Sequence, residues 1–199
     1  MERPVDDEVL ERIVNLTATG PMSIPPWDVG CVTVNGRAEV QGLSGEVLRG
    51  YEGFLKIFRP WLLALMRPFL SRAKYDQFAH FLLPLAQSYM RSRREHRDLL
   101  FYDVPALLLF HHSPYADAAE AFIACTYAML AAESLGLGSS MIGAASPVIG
   151  RNPALCQRLG LPAGHKPAIV LIVGHPAVHF QHTVRRHFVS VYAHRDGRN

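Results

Sequence analysis

The sequence has little cysteine, and what it has is not grouped. Its 199 residues include only Cys31, Cys125 and Cys156, which lie far apart, with no C-x-x-C pair. Disulfide frameworks and structural zinc or iron–sulfur sites require cysteines in larger sets with short spacings. The cysteines therefore predict none of these, and they favour a reducing, cytoplasmic location.

Long apolar runs are also lacking. The first 14 residues are acidic and amphipathic, without the apolar segment of a signal peptide. The most apolar tract, residues 54–70, is interrupted by two prolines and by Lys56, Arg59 and Arg67. A bilayer span needs about 20 nearly uninterrupted apolar residues, so none is predicted here. A helix lying on a membrane surface within residues 54–85 remains a lesser alternative.

Several functional signatures are missing as well. The 20 basic and 17 acidic residues give a net charge of only +3, which does not predict a nucleic-acid partner. No G-x-S-x-G elbow is present, which argues against a serine hydrolase of that type. His111 and His112 have no carboxylate or third histidine at a suitable spacing, so no metal site is predicted.

Hydrophobic patterning predicts one α+β domain over residues 1–199. The helix at 116–135 is apolar nearly all round, as in the middle of a core. The strands at 104–112 and 167–174 are continuous apolar runs, whereas 188–194 alternates. Predicted helices cover residues 4–17, 44–100, 116–135 and 152–160, and predicted strands cover 29–34, 104–112, 167–174 and 188–194.

A glycine- and serine-rich stretch, GLGSSMIG, follows the long predicted helix. It is not a dinucleotide fingerprint, which needs a strand before its glycines and a helix after them. One glycine can terminate a helix. Three glycines with Ser139 and Ser140 in eight positions also suit a backbone exposed to a ligand. Both interpretations stay open on local pattern alone.

Two further segments are candidates for binding. The loop TGPMSIPPW is either a proline-stiffened connection or a set of small polar groups placed beside a heterocycle. The turn HFQHTVRR brings two arginines together, and a planar guanidinium binds phosphate oxygens in pairs. Another basic run, Arg91 to Arg97, is typical of the solvated end of a helix.

Four motifs, taken in order along the chain, resemble the FMN-dependent nitroreductase family. They are TGPMSIPPWDV, AAESLGLGSSMIG, RNPALCQRLGLPAGHKPAIVLIVGHP and HTVRR. The first is especially similar to the form found in members fused to a ferredoxin module. The resemblance implies a central mixed or antiparallel sheet flanked by helices, in an intertwined homodimer whose sites lie at the subunit interface.

The resemblance also implies which residues would bind FMN. Backbone N–H groups in the glycine–serine stretch would meet the N5 and O4 edge of the flavin. The early loop would contact the ring from the other subunit, with Ser23 standing where many relatives have Asn. Arg185 or Arg186 would hold the ribityl phosphate. The implied cofactor-binding set is Thr19, Gly20, Pro21, Met22, Ser23, Gly138, Ser139, Ser140, Met141, Ile142, Gly143, Arg185 and Arg186.

The function implied by the resemblance is a ping-pong oxidoreductase. Hydride would pass from NAD(P)H to flavin N5 and then to a nitroaromatic, quinone or enone-like acceptor, with no side chain acting as a nucleophile. A ferredoxin-type protein is the alternative donor. Residues 44–100, which vary in the family, would form a helical insertion. Its large side chains, Trp61, Phe69, Phe78 and Phe81, would make a buried lid or a dimer contact.

The start of the chain suggests an alternative function. Many family members open with an arginine-rich segment that grips the FMN phosphate, and Met1 to Val5 already match the pattern that follows it. Three interpretations follow: the true start lies upstream, the protein binds FMN more weakly, or it has stopped being a flavoenzyme. The alternative is a non-enzymatic dimer that keeps the fold and acts as a binding protein.

Overall fold

The structure is a computed structural model that describes residues 3–21, 28–58, 61–62, 65, 67–178, 181–182 and 185–192. Helices and strands both occur, as the sequence predicts. The helices are α1 (Asp7–Thr17), α2 (Arg37–Ile57), α3 (Arg72–Gln77), α4 (Leu83–Arg94), α5 (Ala118–Ser134), α6 (Ser146–Ile149) and α7 (Pro153–Arg158). A 3-10 turn covers Arg67–Phe69, and a π-helical turn, Phe78–Leu82, joins α3 to α4. The strands are β1 (Val29–Asn35), β2 (Ala106–His112), β3 (Gly138–Ile142) and β4 (Lys166–Gly174).

The four strands form one antiparallel sheet in the order β1-β2-β4-β3. The two central strands, β2 and β4, are apolar along most of their length because helices cover both faces of the sheet. A register shift between Phe110 and His111 interrupts the pairing of β2 with β4. The predicted sheet flanked by helices is confirmed, and its pairing is antiparallel throughout.

One face of the sheet is covered by α1 and α5. Alanines of α5 lie against the sheet, where their small side chains let the helix backbone approach closely. The opposite side of α5 is open in the single chain, with Phe122 42% and Leu130 58% exposed. The prediction that this helix is surrounded by core is therefore wrong for the single chain, because among the described elements α1 and the sheet cover one side of it and leave the other side exposed.

The other face is covered by α2, α4, α6 and α7. Helix α2 begins at Arg37, seven positions before the predicted start at 44, directly after the turn at Asn35 and Gly36. Gly36 has φ +100°, a conformation that residues with a Cβ rarely adopt, so it separates β1 from α2. Asn152 caps α7 by accepting a hydrogen bond from the Leu155 N–H at 3.1 Å, as predicted.

Two strand assignments differ from the sequence prediction. The stretch Gly138–Ile142, for which the sequence predicts no strand, is an edge strand because its backbone pairs with β4. Residues 188–192, predicted as a strand, form none and are exposed. A strand needs a neighbouring strand for its backbone hydrogen bonds, and in the single chain these residues pair with neither edge of the sheet.

The predicted buried lid is only partly confirmed. Phe78 is half-buried, whereas Trp61, Phe69 and Phe81 are 64%, 87% and 59% exposed. Phe69 lies on a 3-10 turn of three residues, and α3 begins only after the cap at Ser71, so no long helix in the described part of the chain buries Phe69. Within the described ranges, no helix combines the length and apolarity needed to cross a bilayer.

Candidate functional site

The glycine–serine stretch begins at the end of α5, where Gly136 terminates the helix. Gly136 has φ +77°, and the Leu137 N–H donates to the carbonyl oxygen of Ala132 at 2.9 Å. This is the bonding pattern of a glycine helix cap. The helix-cap interpretation is therefore correct for Gly136, but it does not account for Gly138 or Gly143.

Strand β3 offers backbone groups to a ligand along one side. It pairs with β4 on one edge, and no other strand in the described part of the chain pairs with its second edge. A strand edge of this kind leaves N–H and C=O groups unpaired. At Gly143, just beyond β3, a Cβ would meet nothing closer than the Ile169 Cδ1 atom at 3.9 Å. Protein packing therefore does not demand glycine at this position.

The predicted flavin-contacting residues of this stretch divide between two hollows. Gly138, Ser139 and Ser140 line the smaller one, of about 450 Å³, together with Arg3 and His175. Met141, Ile142 and Gly143 line a larger cleft of about 1020 Å³, which also contains Ala144 and Arg151. We call this larger cavity the aromatic cleft.

The aromatic cleft has a wall of aromatic side chains contributed by α2, the π-helical turn and α4. Tyr51, Phe54, Phe78 and Tyr89 line it. Phe54 stacks on Phe58 with ring centroids 4.6 Å apart, and the Phe58 and Phe78 rings are 5.6 Å apart and nearly parallel. Tyr51 meets Tyr89 edge to face at 5.3 Å. Such a wall suits a flat, apolar ring system.

Tyr51 ties this wall to the chain that follows β3. Its hydroxyl donates a hydrogen bond to the carbonyl oxygen of Ala144 at 2.8 Å. Burial raises the pKa of Tyr51 above its ordinary value, and the charge of Arg151 lowers it to a smaller extent. Burial also raises the pKa of Tyr89 to about 12. Both phenols therefore keep their protons at neutral pH, and Tyr51 remains a donor.

The described first residues of the early loop, Thr19 to Pro21, follow α1 on the other face of the sheet, and Gly20 lies against α5. A Cβ at Gly20 would be 3.0 Å from the Tyr127 Cγ atom, so this glycine lets the end of α1 pack on α5. The Thr19 hydroxyl donates to the Leu16 carbonyl oxygen at 2.7 Å, and Pro21 is exposed. Met22 and Ser23 lie outside the described residues. Within one chain, Thr19, Gly20 and Pro21 are not among the residues that line the aromatic cleft.

The two arginines near the end of the chain are exposed. Arg185 and Arg186 have no hydrogen-bond or ion-pair partner among the described residues, and they line neither hollow beside β3. The single chain does not bring these arginines to the glycine–serine stretch.

A histidine pair lies at the far end of β2, in which His111 is buried and His165 is half-buried. His111, 5% exposed, and His165 place their Nδ1 atoms 2.9 Å apart. Burial, with smaller contributions from His165 and His112, lowers the pKa of His111 to about 4. A Cβ at Gly30 would be 2.2 Å from the His111 ring, so glycine there makes room for the imidazole. His112 faces the carbonyl oxygens of Ser113 and Ala116 instead.

The sequence interpretation did not identify the aromatic wall residues of α2 or the cationic residue Arg151. The sequence contains a signal for the aromatic wall, because its aromatic residues recur at the three- and four-residue spacing of one helix face, at Tyr51, Phe54 and Phe58. No local signal distinguishes Arg151 from other surface arginines.

Comparison with known proteins identifies relatives along most of the chain. The sequence model of the nitroreductase family matches residues 1–175. The FMN reductase [NAD(P)H] of Bacillus subtilis (strain 168) is 31% identical over 176 residues, which are 88% of this chain and 60% of that protein. The chain thus spans about three fifths of the length of this curated relative.

Solved structures share the fold. A nitroreductase with bound FMN from Desulfitobacterium hafniense DCB-2 superposes with a TM-score of 0.69 at 20% identity, covering 98% of this chain and 90% of that one. A nitroreductase with bound FMN from Bacteroides fragilis NCTC 9343 gives a TM-score of 0.67 at 18% identity, covering 97% and 91%. At these identities the likeness concerns the fold.

Proposed function

The chain belongs to the nitroreductase family, and on this basis we propose that it is an FMN-dependent oxidoreductase. The proposed donor is NAD(P)H, and the proposed acceptor is an electron-poor nitroaromatic or quinone. In the proposed ping-pong cycle, the oxidised donor leaves the site before the acceptor binds there. The observation that carries the proposal is the open edge of β3 beside an aromatic cleft. The FMN reductase relative and the FMN-containing nitroreductases of the same fold support it.

The residues beside β3 fit an isoalloxazine ring. Gly143 has space where a side chain would stand, and the second edge of β3 supplies backbone donors for the polar edge of the ring. The cleft volume of about 1020 Å³ lies at the upper end of the range of about 300–1,000 Å³ typical of small-molecule sites. We therefore assign Met141, Ile142 and Gly143 to the ring.

The protein would act by position and by electrostatics. When bound, FMN supplies the redox chemistry, taking a hydride from the donor and passing it to the acceptor. Backbone N–H groups in the stretch from Met141 to Gly143 would donate to the ring edge, where negative charge collects on reduction. Phe54 and Phe78 would exclude water from the cleft, and Tyr51 would hold the backbone beyond Gly143 through Ala144. None of these residues needs to exchange a proton.

We propose a homodimer as the form that completes the site. Four side chains in residues 188–192, Phe188, Val189, Val191 and Tyr192, are at least 80% exposed, and so much apolar surface is unusual for a segment meant to stay in water. Phe122 and Leu130 form a second exposed apolar stripe on α5. Burying both surfaces against a second copy would carry Arg185 and Arg186, and the loop at Thr19, Gly20 and Pro21, toward the partner's β3.

The absorption spectrum of the purified protein tests the proposal. It is recorded before and after incubation with excess FMN, followed by desalting. We expect retained flavin bands, bleaching on anaerobic addition of NADPH or NADH, and recovery of the bands when a quinone is added. A spectrum that stays flat after incubation would refute the flavoenzyme and favour the alternative, a colourless dimeric binding protein.

A further inference from the structure

The aromatic cleft has an unbalanced positive charge at its rim. Its charged lining residues are Glu46, Arg49 and Arg151. Glu46 forms an ion pair with Arg158 and lies 4.0 Å from the Arg49 Nη2 atom. The single acidic residue of the rim is therefore already shared by two arginines.

Arg151 has no such partner. Among the described residues, no hydrogen bond or ion pair involves its side chain, and its charge acts on the Tyr51 phenol. Its backbone is held between α6 and α7, where the Arg151 N–H donates to the Val148 carbonyl oxygen at 3.2 Å. The guanidinium is thus tethered at the rim by its backbone and is free to meet an incoming anion.

A second polar group stands next to Arg151. The Asn152 side chain uses its Oδ1 atom to cap α7, and this leaves its Nδ2 donor without a partner among the described residues. Two donors therefore adjoin a wall of phenylalanine and tyrosine rings. Cavities that combine an apolar wall with a few polar groups at one end bind flat molecules in one orientation.

We infer that the aromatic cleft selects planar aromatic acceptors that carry one negative charge, the arenecarboxylates, and that Arg151 is the residue that pairs with the carboxylate. This inference rests on the proposed function, because the ligand is taken to be the electron acceptor. The ring of the acceptor would lie against Phe54 and Phe78. A bidentate guanidinium–carboxylate pair would then set which end of the ligand reaches β3.

The direct test is binding of a ligand that cannot be reduced. Calorimetric titration would compare 2-naphthoate with the neutral 2-naphthamide on the protein after FMN incubation. We expect about tenfold tighter binding of the acid, more than a fully exposed ion pair gives and in the range of a charge-assisted hydrogen bond. The preference should vanish in Arg151→Gln and partly return in Arg151→Lys, which keeps the charge but loses the planar fork.

The matched control is Arg91→Gln. It removes the same charge from an exposed arginine that lines a different surface hollow on α4. Its acid preference should equal that of the unchanged protein. Equal affinity for acid and amide in the unchanged protein, or an acid preference that survives in Arg151→Gln, would overturn the inference.

Kinetics with a reducible pair gives a second readout. If the FMN-loaded protein reduces nitroarenes, the Arg151→Gln substitution should raise KM for 4-nitrobenzoate about tenfold with little change in kcat, and leave 4-nitrobenzamide unaffected. Failure of the proposed function is seen separately in the flavin spectrum of the same preparation. A flavin-bearing, active protein with no acid preference would refute only the role of Arg151.

Discussion

The Tyr51 hydroxyl donates to the Ala144 carbonyl oxygen at 2.8 Å, and this bond joins two parts of the chain that are 93 residues apart. Tyr51 belongs to the aromatic wall of α2, and Ala144 directly follows the glycine at the end of the proposed flavin-contacting strand. The bond therefore positions the backbone of the site with respect to the wall of its cleft.

Removing the Tyr51 hydroxyl should loosen the backbone at Ala144. For Tyr51→Phe we expect the free energy of unfolding to fall by about 1 kcal/mol, because a partly buried carbonyl loses its donor. FMN affinity should fall with it. Urea unfolding and FMN titration measure the two effects. Tyr115→Phe is the control, since Tyr115 is 89% exposed; an equal effect there would contradict the role of the hydrogen bond.

Substitution of Gly143 should separate ligand binding from folding. A Cβ at Gly143 makes only a 3.9 Å contact with Ile169, so Gly143→Ala should leave the melting temperature of the FMN-free protein nearly unchanged. The added methyl group should weaken FMN binding about tenfold, because overpacking against the ring would cost about 1–2 kcal/mol of binding free energy. Gly42→Ala, in open space on α2, serves as the control. If Gly143→Ala binds FMN normally, the ring does not lie on Gly143.

The C-terminal arginines should affect the phosphate end of the cofactor alone. Arg185→Gln combined with Arg186→Gln is expected to weaken FMN by about a hundredfold, the loss of roughly two charge-assisted hydrogen bonds. Binding of riboflavin, which has no phosphate, should not change. Fluorescence titration with both flavins measures the difference. Equal weakening of FMN and riboflavin would show that these arginines act through folding or dimerisation.

The exposed stripe of α5 should be needed for dimerisation. Leu130 is 58% exposed, and Leu130→Glu places a charge where the proposed interface would bury it. We expect a monomer in sedimentation velocity, together with loss of retained FMN. Tyr115→Glu is the control, because Tyr115 is 89% exposed in the loop between β2 and α5. A dimer that survives Leu130→Glu would place the interface elsewhere.

Stability should fall in weakly acidic solution because of His111. Its pKa is lowered from 6.5 to about 4 by burial and by the two neighbouring histidines. Between these two pH values, the His111 imidazole therefore binds a proton in the unfolded chain but stays neutral in the folded chain. The contribution of neutral His111 to the free energy of unfolding is complete above about pH 6.5 and is lost as the pH falls toward 4. The free energy of unfolding should change by at most about 1.4 kcal/mol per pH unit in this range.

Urea unfolding between pH 4 and 8 measures this dependence. The slope should be reduced in His111→Gln and retained in His80→Gln, where the histidine side chain is 76% exposed. A slope that is identical in His111→Gln and the unchanged protein would assign the acid sensitivity to other groups.

Much of the fold follows from local sequence pattern. The strands at Val29–Asn35, Ala106–His112 and Lys166–Gly174 and the helix at Ala118–Ser134 were predicted close to their observed bounds. Long apolar runs and capping residues such as Asn152 act over a few neighbouring positions, so they can be read without knowing the rest of the molecule. Residues 188–192 show the limit, because an alternating pattern becomes a strand only when its backbone pairs with another strand, and these residues pair with neither edge of the sheet.

The candidate site, like the fold, was predicted in part from the sequence and in part shown only by the structure. The sequence by itself determined the family and the glycine–serine stretch, since each depends on contiguous residues, and only the structure showed that Gly136 is the helix cap. Only the tertiary structure decided that this stretch is an edge strand, that Tyr51 bonds to Ala144, and that Phe54, Phe78 and Arg151 share one cleft. These residues come from segments up to a hundred positions apart, and what brings them together is the burial of helix faces on the sheet.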